Sequence, residues 1–200
     1  MGLDMFLYKK KFYYEGEMER LKGDIKAVKE KMPELVDVVF KHSADIVNDL
    51  CEDDSRVESI EKLAIQWRKS NAIHRWFIEH TGDEWDDESE REVSVDDLKR
   101  LLEVCEKVIE GTKMKPGEIH MGTVCSEGKV TEKYEPGEVI ANPELADELL
   151  PTQEGFFFGS TDYDQYYLND VKYTAEKIKE ILKNADEKDW TETFIYRASW

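Results

Sequence analysis

The stretch from Trp67 to Phe77, WRKSNAIHRWF, gathers the side chains best suited to gripping an anion. At 100° per residue, a helix brings Arg68, Asn71 and Arg75 within about 60° of one another, with His74 on the neighbouring edge. Guanidinium groups hold phosphates and carboxylates through paired, charge-assisted hydrogen bonds. Trp67 and Trp76 beside them would form flat apolar walls for a planar ligand. A run this apolar belongs to a buried helix, and buried polar groups left unpaired cost about 1–3 kcal/mol each. The cluster therefore either pairs internally, with Asp4, Asp162 or Asp164 as candidate carboxylates, or lines a cleft and meets a ligand there. The second alternative makes Trp67, Arg68, Asn71, His74 and Arg75 ligand-binding residues.

A second candidate lies at LLPTQEGFFFGSTDYDQYY, from Leu149 to Tyr167. In an extended chain Phe156 and Phe158 point one way and Phe157 the other, so at least one ring enters a core. Gly155 and Gly159 permit a sharp turn or a close approach to a ligand. Ser160, Thr161 and Asp162 then precede a helix expected from about Tyr163 to Asn184, where free amide groups and the helix dipole can hold an anion. Phe156, Phe158, Gly159, Ser160, Thr161 and Tyr163 join the candidate ligand site on that account. The lead resembles a phosphate cradle in kind but lacks the GKS/T of a P-loop. Asp162 and Asp164 compete with any anion at the same helix end. A core-docked strand followed by an ordinary capped helix accounts for the same residues.

Other chemistries fit the sequence less well. His42, His74, His80 and His120 have no metal-ligand spacing, so neither a metal nor a cofactor is expected. His74 is the one candidate acid or base if the protein is an enzyme, and a binding protein without chemistry is the expectation. Cys51, Cys105 and Cys125 are odd in number and form no CxxC pair, which points to small half-buried thiols. The acidic run from Gly82 to Glu92 lacks the ligand spacing of a calcium loop and is expected to be a solvated loop.

The elements that must position these residues can be read from period and punctuation. Leu3 to Tyr8 and Thr193 to Trp200 alternate with period two, which predicts two terminal strands pairing antiparallel. Glu17 to Lys31 and Glu34 to Leu50 predict a helical hairpin, and Val57 to His80 a long central helix stopped by Gly82. Ser94 with Asp97 predicts a capping box ahead of a helix burying Leu98, Leu101, Leu102, Cys105, Val108 and Ile109. Turn signals and β-branched residues predict an inserted β-hairpin within 112–140, with arms near Ile119–Cys125 and Lys129–Tyr134. A short helix from Asn142-Pro143 to Leu150 follows. The expected fold is one α+β domain over 1–200. Its small antiparallel sheet includes both termini and the Phe run, packed by four to five helices, one of them central and buried.

The chain has 200 residues, 46 acidic against 28 basic, and a formal charge of −18. That field repels phosphate backbones and anionic lipid, so neither nucleic acid nor membrane is an expected partner, and an anionic ligand needs a local basic site. With no apolar run of 18 or more residues and no signal-peptide pattern, the cytoplasm is the expected location. A homo-oligomer is compatible with all of this.

Four blocks, GLDMFLYKK, WRKSNAIHRWF, LLPTQEGFFFGSTDYDQYYLNDV and the terminal Tyr196-x-x-Ser199-Trp200, resemble a family of small uncharacterised proteins found in bacteriophages and prophages. The resemblance covers about half of the chain and implies a phage-like setting in a host cytoplasm, with no activity attached; 112–140 looks like an insertion relative to shorter members. The expected function is sequestration of a small anionic nucleotide-like signalling molecule involved in host defence. The alternatives are a host-protein inhibitor acting through the acidic surface, and a metal-independent nucleotide hydrolase or phosphodiesterase.

Overall fold

Side chains alternate between interior and surface along two segments that become strands. Met5 and Leu7 are fully buried on one face of β1 (Asp4–Phe12), in step with Leu3 just before it. In β2 (Ser59–Arg68), Ile65 and Trp67 turn inward while Gln66 and Arg68 face out. The computed structural model describes residues 2–12, 59–82, 88–126, 129–185, 189 and 191–200. The expected helical hairpin between Glu17 and Leu50, Cys51, and residues 83–87 of the acidic loop lie outside them.

The expected helix from Val57 to His80 is instead two elements. β2 runs through Arg68, Lys69 takes a left-handed backbone with φ of 60°, and α1 (Asn71–His80) starts two residues later. Apolar residues at nearly every helical angle arose from joining a period-two segment to a period-3.6 segment; short apolar runs do not distinguish the two. α1 itself buries Asn71, Ala72, Ile73, His74, Trp76, Phe77 and Ile78.

The remaining elements are β3 (Arg91–Val93), α2 (Val95–Gly111), β4 (Met114–Ser126), β5 (Lys129–Ile140), α3 (Pro143–Leu149), α4 (Gln165–Leu182) and β6 (Glu192–Ser199). The protein is α+β, with a four-stranded sheet in the order β2-β1-β6-β3 and four helices among the described residues. β3 pairs antiparallel with β6, Val93 opposite Phe194. The Phe run is not part of this sheet: Phe156 and Phe157 form a turn closed by Phe158 N–H donating to the Gly155 carbonyl at 3.1 Å. β4 and β5 form a separate antiparallel hairpin, longer than expected, whose register shifts between His120 and Gly122. No described helix is long and apolar enough to cross a membrane.

The chain divides into two compact units. One comprises Met1–Lys9, Leu63–Lys188 and Thr193–Trp200 and holds the main core. In it α2 lies against α4, and Phe77 stacks on Tyr196 with ring centroids 4.1 Å apart. The other comprises Lys10–Lys62 and Asp189–Glu192; its described part carries ion pairs of Lys10 with Glu61 and Lys11 with Glu192.

α2 begins as its sequence predicts. The Ser94 hydroxyl accepts from Asp97 N–H at 3.1 Å, and Asp97 Oδ2 accepts from Ser94 N–H at 2.8 Å. Burial pushes the Asp97 carboxyl up, but the Ser94 hydroxyl and amide, with Arg100, outweigh it and hold the pKa below the ordinary value. Replacing an N-cap serine with alanine costs about 1 kcal/mol. Ser94→Ala should therefore lower the thermal midpoint by about 2–4 °C for a chain of this size, measured by circular dichroism.

Candidate functional site

The site is built around the turn from β2 into α1. Ser70 sits where an N-cap would, yet its side chain makes no capping bond; the hydroxyl donates to Asp170 Oδ2 at 2.7 Å instead. The first turn of α1 is therefore not capped by Ser70; Asn71 N–H donates to the Lys69 carbonyl at 2.9 Å, and Arg68 and Lys69 lie directly before the helix. Arg68 is 63% exposed and stands 3.7 Å from Asp4, a loose and solvated pair worth little. Lys69 N–H donates to the Leu3 carbonyl at 2.7 Å, which ties the turn to the start of β1.

Asn71 fixes the loop opposite. Its Nδ2 donates to the carbonyls of Phe158 at 3.1 Å and Ser160 at 2.8 Å, and its Oδ1 accepts from Gln153 N–H at 3.2 Å. The glycines flanking the Phe run fit this close packing. A Cβ on Gly155 would lie 2.6 Å from the Phe158 ring. Gly159 has a φ of 92°, and a Cβ there would lie 3.2 Å from Lys69 Cβ. Phe158 is buried, while Phe156 is 96% exposed at the tip of the turn.

Between turn and loop lies a cavity of about 650 Å³. It is lined by Arg68, Lys69, Ser70 and Asn71 on one side, by Phe156, Gly159 and Ser160 on the loop, and by Asp164, Tyr166 and Asp170 around α4. His120, Met121 and Gly122, at the register shift of the hairpin, complete its wall. Its volume suits a small molecule of nucleotide size.

Of the residues expected at a ligand site, Arg68, Asn71, Phe156, Gly159 and Ser160 come together here. The others do not line the cavity. Trp67 is in the core, its indole N–H donating to Thr174 Oγ1 at 2.8 Å. His74 is fully buried; its Nδ1 shares a 2.7 Å hydrogen bond with the Tyr196 hydroxyl, and Phe158 and Trp200 meet its ring edge to face. Arg75 Nε donates to Glu79 at 2.6 Å and Nη1 to the Thr152 carbonyl at 3.2 Å. The Thr161 carbonyl accepts from the Thr152 hydroxyl, and the Tyr163 hydroxyl donates to Asp147 at 2.7 Å. Burial, then the Asp147 bond, raises the Tyr163 pKa. The single polar helix face is thus corrected: with Arg68 on a strand, Arg75 and His74 no longer share its side.

The expected anion site before α4 is also corrected. Asp164 caps that helix, its Oδ1 accepting from Tyr166 N–H at 2.8 Å and Tyr167 N–H at 3.1 Å, so the protein's own carboxylate fills the position. The Ser160 hydroxyl donates to Asp162 at 2.9 Å and does not cap α4. Sequence reasoning missed Lys69, Ser70, Tyr166 and Asp170. Lys69 and Ser70 were within the quoted motif and needed only the strand-to-helix break; nothing local marks Asp170, 100 residues from its partner.

Burial raises the pKa of two carboxyls at the cavity, Asp164 and Asp170. Burial pushes the Asp170 carboxyl from the ordinary 3.8 to about 6; the Ser70 hydroxyl offsets part of the rise and the Asp164 charge adds to it. Cys105, by contrast, is buried away from solvent and pushed up to about 12, so it is an inert thiol. Among the described residues no group of three or more His, Cys, Asp and Glu side chains could hold a metal. No family model, curated protein or solved structure matches the chain.

A carboxyl with a raised folded-state pKa destabilises the fold above that pKa, and the penalty is relieved as pH falls from about 6 toward the unfolded value of 3.8. Asp170→Asn keeps an acceptor for Ser70 and removes the charge. At pH 7.5 it should stabilise the protein by about 1–3 kcal/mol, raising the melting temperature by several degrees. The gain should shrink steadily between pH 6 and pH 4, as followed by thermal melts across that range.

Proposed function

We propose that the protein binds, without transforming it, a small anionic nucleotide-like molecule in the cavity between the β2–α1 turn and the Phe loop. The observation that carries this is the convergence of Arg68, Lys69 and the uncapped first turn of α1 on one cavity of nucleotide size. Cations beside a helix start that carries no side-chain cap together favour an anionic group. Tyr166, 52% exposed, and Phe156 add aromatic surface at the same cavity, suited to a planar ring. The role is sequestration, and the resemblance to phage proteins would give it a setting in which a host signalling nucleotide is withheld from its receptor.

Hydrolysis has weaker support. His74, the residue that would have served as acid or base, is enclosed by Tyr196, Phe158 and Trp200 and does not line the cavity.

Isothermal titration with guanosine, adenosine and uridine monophosphates and ADP-ribose tests the proposal. At least one should bind with 1:1 stoichiometry. Charge-assisted hydrogen bonds contribute about 1.5–3 kcal/mol, so reversing both cations in Arg68→Glu/Lys69→Glu should weaken it by about 10- to 100-fold or more. Arg75→Ala, outside the cavity, should leave affinity within about threefold. Absence of heat with every ligand, or undiminished affinity in the double variant, would overturn the proposal.

A further inference from the structure

The cavity is chemically lopsided. At its more buried side the Ser70 hydroxyl, on a residue 4% exposed, spends its proton on Asp170 Oδ2. What this pair can still offer is lone pairs: those of the Asp170 carboxylate and of the Ser70 oxygen. Asp164 adds another carboxylate at the same cavity, its Oδ1 already accepting two amides. Asn71 has both amide functions committed to the loop. Donors are concentrated on the exposed side, at Arg68 and Lys69.

We infer that the cavity selects a ligand whose buried edge presents two adjacent N–H donors and whose other end is anionic, which among nucleotides is the guanine class. The inference rests on the cavity being a ligand site. Guanine carries N1–H and the N2 amino group side by side, and a carboxylate can accept both in a paired arrangement. Adenine and cytosine set an acceptor beside their amino group, and that lone pair would face a carboxylate with no proton to share. Uracil flanks its one N–H with two carbonyls. A site built to bond a ligand's donors rejects analogues lacking them, because its own acceptors are then left unpaired.

The burial that raises the Asp170 pKa supports this assignment. Among the described residues the Ser70 hydroxyl is the contact that stabilises the Asp170 carboxylate, and the Asp164 charge opposes it. A half-buried carboxylate in that condition gains most from a ligand that brings two donors at once. The same group costs the empty protein stability, as a residue serving a ligand would.

Titration of the full chain with GMP, IMP, AMP, guanosine and inorganic pyrophosphate decides the matter. GMP should bind tightest. IMP, which keeps N1–H and lacks the amino group, should bind about 10-fold more weakly, and AMP about 100-fold more weakly, in keeping with the discrimination of a paired contact. Guanosine, lacking the phosphate, should lose about 10-fold or more relative to GMP. In Asp170→Asn the side chain offers N–H as well as C=O, so the gap between GMP and AMP should close to within about threefold. A thermal melt confirms that this variant is folded, and Ser70→Ala is the second variant, expected to narrow the gap without closing it. AMP or IMP binding as tightly as GMP, or an unchanged gap in Asp170→Asn, would overturn the guanine assignment and leave the cavity as an anion site. No binding of GMP, IMP, AMP or inorganic pyrophosphate would remove the cavity reading and the assignment with it.

Discussion

The left-handed residue at Lys69 is the constraint on which the rest of the site depends. A lysine pays a steric cost of about 1–2 kcal/mol for that backbone, and only surrounding contacts hold it there. Its amide is bonded to Leu3, and its side chain passes close to Gly159 and Gly2. Asn71 then reaches across to three backbone groups of the opposite loop. A regular helix through Lys69 would carry Arg68 round with the helix and take Ser70 away from Asp170. The break is what turns a motif into two walls of a cavity.

This also explains what was legible in the sequence. Near the N-terminus a period-two pattern was legible because Leu3, Met5 and Leu7 are buried in alternation, whereas β6, which lies beside β1, buries Phe194, Ile195 and Tyr196 in succession. The start of α2 could be read because a capping box is a contact between residues three apart. The β2–α1 break could not, since Ile65, Trp67, Ala72 and Ile73 satisfy a helical wheel as well as they satisfy a strand and a helix in succession. The Phe run had the right punctuation and the wrong element. Its turn is held by Asn71 and by the packing of Phe158 against Gly155, contacts that no local pattern encodes.

Legibility of the site was divided in the same way. Arg68, Asn71, Phe156, Gly159 and Ser160 are in the two motifs that stood out, and the fold brings the motifs together. His74 and Trp67 stood out for the same compositional reason and serve the core, where an imidazole bonded to Tyr196 and an indole bonded to Thr174 are satisfied groups. Type and spacing do not separate these roles; only the direction of each side chain does. Asp170 is the reverse case, one acidic residue among 46, distinguished by burial beside Ser70 and not by its neighbours in sequence.

Taken alone, a formal charge of −18 disfavours an anionic ligand, yet its effect depends on distance. Beyond a Debye length, about 10 Å at 0.1 M salt, exposed carboxylates contribute little, whereas groups at contact act with less intervening water. Arg68 and Lys69 thus govern the last few ångströms, and the surrounding field governs which molecules come near at all. Such an arrangement disfavours long polyanions, which must lay many phosphates along an acidic surface, more than a small ligand that presents one or two to the cations. If the cavity takes the proposed ligand, the acidic exterior and the basic turn would act in the same direction, the first disfavouring nucleic acid and the second favouring a compact anion.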